Sequence, residues 1–283
     1  MKTFILGVGC QKGGTTWLHR QLRKCNNVNL GCFKEYHVFD SIYTPDVYDG
    51  SKQYLDSLKK ALDDRPGQVP PWRILRRLLF IKDVSSYYSY FDYLWAGDSE
   101  VSIVGDITPS YCALKAEHLR VIKRNLESLG FEVKVIFFMR DPVERIWSVV
   151  RMANRDNVEK NTFQNLNEDE QVLGIYNKSH TEFRTRYDKT LQNLDKVFAG
   201  DNIYCCLYED LFLPKSITSL ARFIGIDESV FDAYEYFNAT KKQHPLSAST
   251  IKEVASYYSS VYRFVGKRFP VMDRWAGSRF LDT

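Results

Sequence analysis

Fourteen residues near the start, Phe4-Ile-Leu-Gly-Val-Gly-Cys-Gln-Lys-Gly-Gly-Thr-Thr-Trp17, constrain this chain more than any other stretch. An unbroken apolar run that meets glycines, one lysine and paired hydroxyls predicts a buried strand, a tight turn and the start of a helix. Gly13 and Gly14 lack a Cβ, so the backbone there can approach an anion closely. Thr15, Thr16 and Trp17 open the helix, where free N–H groups and hydroxyls favour a phosphate, and Lys12 adds a positive charge beside it. Leu18, Leu22 and Cys25 fall at helical spacing and predict the face that packs inward. The order of the turn matters. In the nucleoside-triphosphate loop the lysine follows the last glycine and precedes Ser or Thr, whereas here Lys12 stands before Gly13-Gly14-Thr15-Thr16.

Three more apolar runs predict strands at 101–106, 133–139 and 203–208, with helices between them at about 114–129, 183–198, 216–224 and 248–265. The third strand ends in Arg140-Asp-Pro-Val-Glu-Arg-Ile-Trp-Ser148. Asp141 suits an N-cap, Pro142 the first helical position and Glu144 the third, so a helix begins abruptly at the strand's end. Arg140 then sits on the rim where open α/β sheets bind ligands, and Ser148 returns to the same side of the helix. Pairing of Arg140 with Asp141 or Glu144 is the ordinary alternative.

Lys34-Glu-Tyr-His-Val-Phe-Asp40 sets charged groups among apolar ones. As a short strand it would place Glu35 and His37 on one face, a carboxylate beside an imidazole, which is how a general base is often oriented. A surface ion pair is the alternative. Asp106 ends the second strand and could hold magnesium in a nucleotide-dependent kinase. Between 41 and 98 the signal is thin. Pro71 can open a helix with Trp72, Leu75, Leu78 and Leu79 on one side, and Arg73, Arg76 and Arg77 are then expected on a solvated face. The aromatic run from Tyr87 to Trp95 either packs or lines a sugar cleft.

With 283 residues the chain is expected to form one α/β domain, 1–283. A formal charge of +4 suits an anionic ligand but falls far short of a general nucleic-acid binder. No run reaches the length of a membrane span. Six cysteines without C-x-x-C spacing indicate neither zinc nor a redox pair, so buried thiols in a reducing cytoplasm are expected. Oligomeric state leaves no mark on the sequence.

Taken together, the motifs resemble those of sulfotransferases that use 3′-phosphoadenosine 5′-phosphosulfate, especially glycosaminoglycan-type and bacterial enzymes. The resemblance implies a three-layer sandwich with a central, mostly parallel sheet and a P-loop-like phosphosulfate loop. In that reading Lys12, Gly13, Gly14, Thr15, Thr16 and Trp17 hold the 5′-phosphate. The Arg-Asp-Pro-x-x-Arg-x-x-Ser pattern makes Arg140 and Ser148 the binders of the 3′-phosphate. The segment from Tyr208 to Leu211 is similar to a Tyr-Glu-Asp-Leu stretch beside the nucleotide, and Lys241 and Lys242 fall in a late loop that closes over it. Lys34 to Asp40 is similar to Lys-Glu-x-His-Phe-Phe-Asp of heparan-sulfate-type enzymes, departing at Val38. It implies Glu35 as catalytic base, with Lys34, His37 and Asp40 around the acceptor. Asp106 to Tyr111 resembles Glu/Asp-x-Thr-Pro-Ser-Tyr beside the acceptor site, placing Asp106 and Ser110 there, although Ile107 stands where close glycan enzymes have lysine. The implied product is adenosine 3′,5′-bisphosphate, the implied acceptor a glycan or small molecule, and no metal is required. Many relatives work in the secretory lumen, which the resemblance admits beside the cytoplasm.

Overall fold

The computed structural model describes residues 2–46, 48–64, 67–156, 166–235, 242 and 244–281. Its centre is β1 (Thr3–Gly9), flanked by β3 (Ile103–Ile107) and β4 (Glu132–Met139), with β2 (Val28–Asn29) and β5 (Ile203–Leu207) at the edges. The order is β2-β3-β1-β4-β5 and every neighbouring pair is parallel. Parallel sheets need cover on both faces, and the strands alternate to supply it. Phe4, Leu6 and Val8 of β1, with Val133, Val135 and Phe137 of β4, join one core. Ile5, Ile136 and Phe138 join the other. That second core is closed by Trp17, Leu18 and Leu22 of α1 (Thr15–Leu22) and by Leu220 and Ile224 of α11 (Pro214–Ile224). The three predicted layers are therefore present.

The first core is roofed by α5 (Val84–Ala96), α6 (Ala116–Ser128), α7 (Pro142–Asp156), α10 (Tyr187–Asp195), α12 (Ala248–Tyr257) and α13 (Ser259–Gly266). The helix expected at 183–198 is shortened to α10, which follows the short helices α8 (Glu168–Ile175) and α9 (Ser179–Glu182), and the one expected at 248–265 is broken into α12 and α13. Residues 41–98, thin in sequence, are mostly helical: α2 (Phe39–Tyr43), α3 (Gly50–Asp64), α4 (Trp72–Lys82) and α5. The aromatic run forms α5 and packs, with Tyr87, Tyr88 and Phe91 buried against Phe4, Tyr36 and Phe39. On α4 the inward face is Leu78 and Phe80, while Trp72, Leu75 and Leu79 lie exposed, contrary to the expected grouping.

The strand-to-helix junction after β4 is secured from three sides. Asp141 accepts from the Val143 N–H at 2.9 Å as an N-cap, from the Gly277 N–H at 2.7 Å and from the Tyr262 hydroxyl at 2.6 Å. The N–H of Asp141 is satisfied by Glu209 at 3.2 Å, so Glu144 does not complete the capping box and is left for other partners. Removing the buried Asp141 carboxylate orphans three donors, each worth about 1–3 kcal/mol, offset in part by relief of a buried acid. Asp141→Ala is expected to lower unfolding free energy by about 2–4 kcal/mol, read from the shift in urea midpoint at constant slope.

Candidate functional site

One large cavity, about 980 Å³, opens at the carboxyl ends of the central strands. Lys12, Gly14, Thr15, Thr16 and Trp17 line it from one side, and Arg140, Ser148, Tyr208 and Lys242 from another. Lys34, Glu35, His37 and Ser110 complete it.

The loop after β1 has the expected form with one difference. Lys12 adopts φ 66° and Gly14 φ 96°, and a Cβ on Gly14 would come within 2.7 Å of Leu211. Gly13 is needed for close approach, because a Cβ there would meet the Cys10 sulfur at 2.7 Å. The Gly13 N–H, however, bonds to the Cys10 carbonyl at 3.1 Å and braces the turn instead of facing a ligand. The donors left over are those of the first turn of α1, which have no acceptor within the helix. The side chain of Trp17 is an anchor, its indole donating to the Asp232 carbonyl at 2.8 Å and stacking on Phe231 at 5.2 Å.

Arg140 joins the loop after β1 to the start of α7 directly, donating to the Lys12 carbonyl at 3.1 Å and lying 4.6 Å from the Tyr208 ring. It also meets Glu144 at 3.3 Å, and Glu144 meets Lys242 at 2.7 Å, so the local pairing seen as an alternative coexists with a cavity-facing position. Lys241 lies outside the described residues.

The segment from Lys34 to Val38 is irregular and not a strand, because His37 adopts φ 56°. Glu35 and His37 nonetheless meet, with His37 Nε2 3.2 Å from Glu35 and Nδ1 2.6 Å from Asp40. Lys34 pairs with Glu35, and Ser110 with Asp40. Burial alone would lower the His37 pKa, but the hydrogen bonds to Asp40 and Glu35 outweigh it and raise the value to about 9. Burial would raise Glu35, yet His37 and Lys34 bring it down to about 2.

Asp106 differs from its expected place. It is fully buried off the cavity and accepts from the hydroxyls of Tyr87 at 2.9 Å, Tyr111 at 2.8 Å and Thr108 at 2.6 Å. Burial pushes its pKa up to about 6 despite those donors. The Thr108 oxygen accepts the Tyr36 N–H at 2.9 Å, and the Tyr111 oxygen accepts the Val38 N–H at 3.2 Å. Asp106 thus fixes the backbone on both sides of His37 and is not part of the cavity lining. Asp40 is likewise fully buried and acts through His37 and Ser110.

Several cavity residues escaped the sequence reading. His19, Arg20 and Arg23 extend the stripe begun by Thr16 on the side of α1 away from Leu18 and Leu22, a pattern the helical spacing contained. Burial lowers the His19 pKa to about 4, helped by Lys34 and Arg23. Arg151 follows Ser148 by three residues on α7, and Arg184 enters from the turn after α9 with no local signal. Arg73 and Arg77 are not simply solvated. They donate to the Cys32 and Glu35 carbonyls at 2.7 and 3.0 Å and brace the segment that carries Glu35.

The constellation is a glycine-rich loop at the end of a central parallel strand facing a partly buried carboxylate–imidazole pair across one cationic cavity. The family follows from comparison. A family model described as "Sulfotransferase domain" matches residues 2–268, so the chain belongs to the sulfotransferase family and is a sulfotransferase. No curated sequence is similar enough to match. Among solved structures, a sulfotransferase from Alicyclobacillus acidocaldarius is similar at 17% identity and TM-score 0.59, over 94% of this chain and 95% of that one. The sulfotransferase domain of the Synechococcus PCC 7002 olefin synthase aligns over 90% of this chain and 94% of its own, at 16% identity and TM-score 0.46. The first of these supports the α/β fold. No helix among the described residues is long and apolar enough to cross a membrane.

The raised His37 value carries a signed consequence. A group whose folded pKa lies above its unfolded value of about 6.5 stabilises fully below that value and loses the contribution as pH climbs through about 9. The wild-type melting temperature is expected to fall between pH 7 and 10 more steeply than that of His37→Asn, as read by thermal unfolding across that range.

Proposed function

We propose that the chain moves a sulfuryl group from 3′-phosphoadenosine 5′-phosphosulfate to a hydroxyl or amine of a glycan or small-molecule acceptor. The observation that carries this is the Arg140–Lys12 contact at 3.1 Å, which puts the two anion-binding motifs on one cavity with Glu35 on its wall. The residues suit such a donor. The α1 start and Lys12 supply N–H groups and charge for a 5′-phosphate, and Arg140, Ser148 and Lys242 supply them for a 3′-phosphate.

The chemistry is positioning and charge stabilisation. Glu35 takes the proton from the acceptor as its oxygen or nitrogen bonds to sulfur. The sulfur–oxygen bond to the 5′-phosphate breaks, and Lys12 offsets the charge that collects on the departing phosphate. Glu35 at about 2 is a weak base while Lys34 and His37 hold it. Lys34, half-exposed and adjacent, is free to turn toward the anionic donor, and Glu35 then gains basicity where it is needed. His37, held by Asp40, keeps the carboxylate oriented. The transferred group carries less charge than a phosphoryl group, so turnover needs no divalent metal. Asp106, sealed by three hydroxyls, gives the kinase alternative no magnesium ligand at that position.

With labelled phosphosulfate and a panel of glycan and small-molecule acceptors, transfer is expected to persist in chelator. Glu35→Gln is expected to lower kcat by about a hundredfold or more with adenosine 3′,5′-bisphosphate affinity unchanged by calorimetry. Full turnover by that variant overturns Glu35 as base, and metal-dependent binding of ATP in preference to the bisphosphate overturns the donor.

A further inference from the structure

The helix α7 presents more positive charge to the cavity than Arg140 and Ser148 account for. Glu144, Ser148 and Arg151 are spaced by four and three residues and so share one stripe of the helix. Arg151 is only 5% exposed, yet it lines the cavity together with Arg140, Ser148 and Lys242. Its guanidinium lies 4.4 Å from the centre of the Trp147 ring, and the Lys242 ammonium lies 4.6 Å from the same centre. Trp147 therefore gathers two cations at the end of the cavity where Arg140 and Ser148 stand.

Among the described residues no carboxylate pairs with Arg151. Glu144 is shared by Arg140 and Lys242, and Glu168 accepts from the Trp147 indole. Nε and Nη1 of Arg151 are buried and have no hydrogen-bond partner among the described residues. Both acids act on Arg151 at a distance, Arg140 opposes it, and burial pushes its pKa down. A buried guanidinium with unmet donors is costly to keep unless something anionic and multidentate completes it. Arginine's fixed fork suits a phosphate monoester, which offers three acceptor oxygens and nearly two negative charges.

We propose that Arg151 is a further ligand of the 3′-phosphate and the residue through which this site selects a nucleotide phosphorylated at both the 3′ and 5′ positions over one phosphorylated at the 5′ position alone. The proposal rests on the donor reading given above. In it, Ser148 and Arg151, one helical turn apart, take two sides of the phosphate. The ring of Trp147 holds the guanidinium in place, and Glu144 keeps Arg140 and Lys242 close without neutralising Arg151.

Calorimetric titration of the full chain with adenosine 3′,5′-bisphosphate and with adenosine 5′-monophosphate separates the possibilities. Arg151→Gln is expected to weaken the bisphosphate by about 10- to 100-fold, the effect of losing a charge-assisted bond pair, and to leave the monophosphate within about twofold. Arg151→Lys, which retains the charge over Trp147, is expected to fall between wild type and Arg151→Gln. Thermal unfolding of each variant without nucleotide checks that the fold survives. A purely structural role would weaken both nucleotides in parallel, and that result, or no change in either, overturns the assignment. If wild type itself does not prefer the bisphosphate, the donor reading fails, and this outcome is distinct from a wild-type preference that Arg151→Gln leaves intact.

Discussion

The buried carboxylate of Asp106 is the constraint on which the acid–base side of the site depends. It ends a central strand, so its position is as fixed as the sheet. Through Thr108 and Tyr111 it reaches the N–H groups of Tyr36 and Val38 and holds the residue between them, His37, in a left-handed conformation. A non-glycine residue at positive φ costs on the order of 1 kcal/mol or more and persists only where its surroundings over-determine it. Here two backbone donors are tied to one rigid acid. The result is that Glu35, His37 and Asp40, spaced by two and three residues, are folded onto one another instead of being laid out along a strand.

The two sides of the cavity are therefore built from different material. On the side of Lys12 and Arg140, backbone does the work: the end of β1, the start of α1, and the junction of β4 with α7 pinned by Asp141 and Glu209. Burial raises the Glu209 pKa to about 7, yet its oxygens serve Asp141 and Trp275, which marks it as an internal brace for the loop beside Tyr208. On the acid–base side, side chains on an irregular segment are steadied from beneath by Asp106 and from the flank by Arg73 and Arg77. Rigid elements hold a fixed geometry. A side-chain lattice can exchange partners, and the pKa values of its members change with them.

This division also decides what the residues alone could reveal. Parallel strands covered on both faces read as continuous apolar runs, and the glycines after β1 and the Asp-Pro after Arg140 are strong punctuation, so β1, β3, β4, β5, the turn after β1 and the helix start after Arg140 were legible. The short strand expected at Glu35 was not found, because the cause of its irregularity sits some seventy residues away at Asp106, Thr108 and Tyr111. Helix α3 was missed although Leu55, Leu58 and Leu62 recur at helical spacing, and the structure buries only Gly50 and Tyr54 along it. Helix α5 buries Tyr87, Tyr88 and Phe91 through a run so uniformly apolar that period could not separate packing from a binding cleft. Arg151 and His19 lay in plain view at helical spacing from recognised residues, but an unaccompanied cation or imidazole carries no signal until its partners are known.

Electrostatics explains why the cavity does not simply collapse onto itself. Lys12, Arg20, Arg23, Lys34, Arg140, Arg151, Arg184 and Lys242 line it, against Glu35 and Glu235 as carboxylates of the lining. Such an excess of one sign works against the compact state by self-repulsion, and the protein limits the cost locally: Glu144 bridges Arg140 and Lys242, Glu35 takes Lys34, and the aromatic faces of Trp147 and Tyr208 support Arg151 and Arg140. None of these arrangements neutralises the set, and an anion entering the cavity gains from charges already assembled, of which Arg140 and Arg151 are largely shielded from solvent. The same excess couples binding to folding, since a ligand that relieves it stabilises only the folded chain. A site that is costly to maintain and inexpensive to fill is what preorganisation means in physical terms, and here it follows from gathering cations around one cavity, with Arg140 and Arg151 held where solvent screens them least.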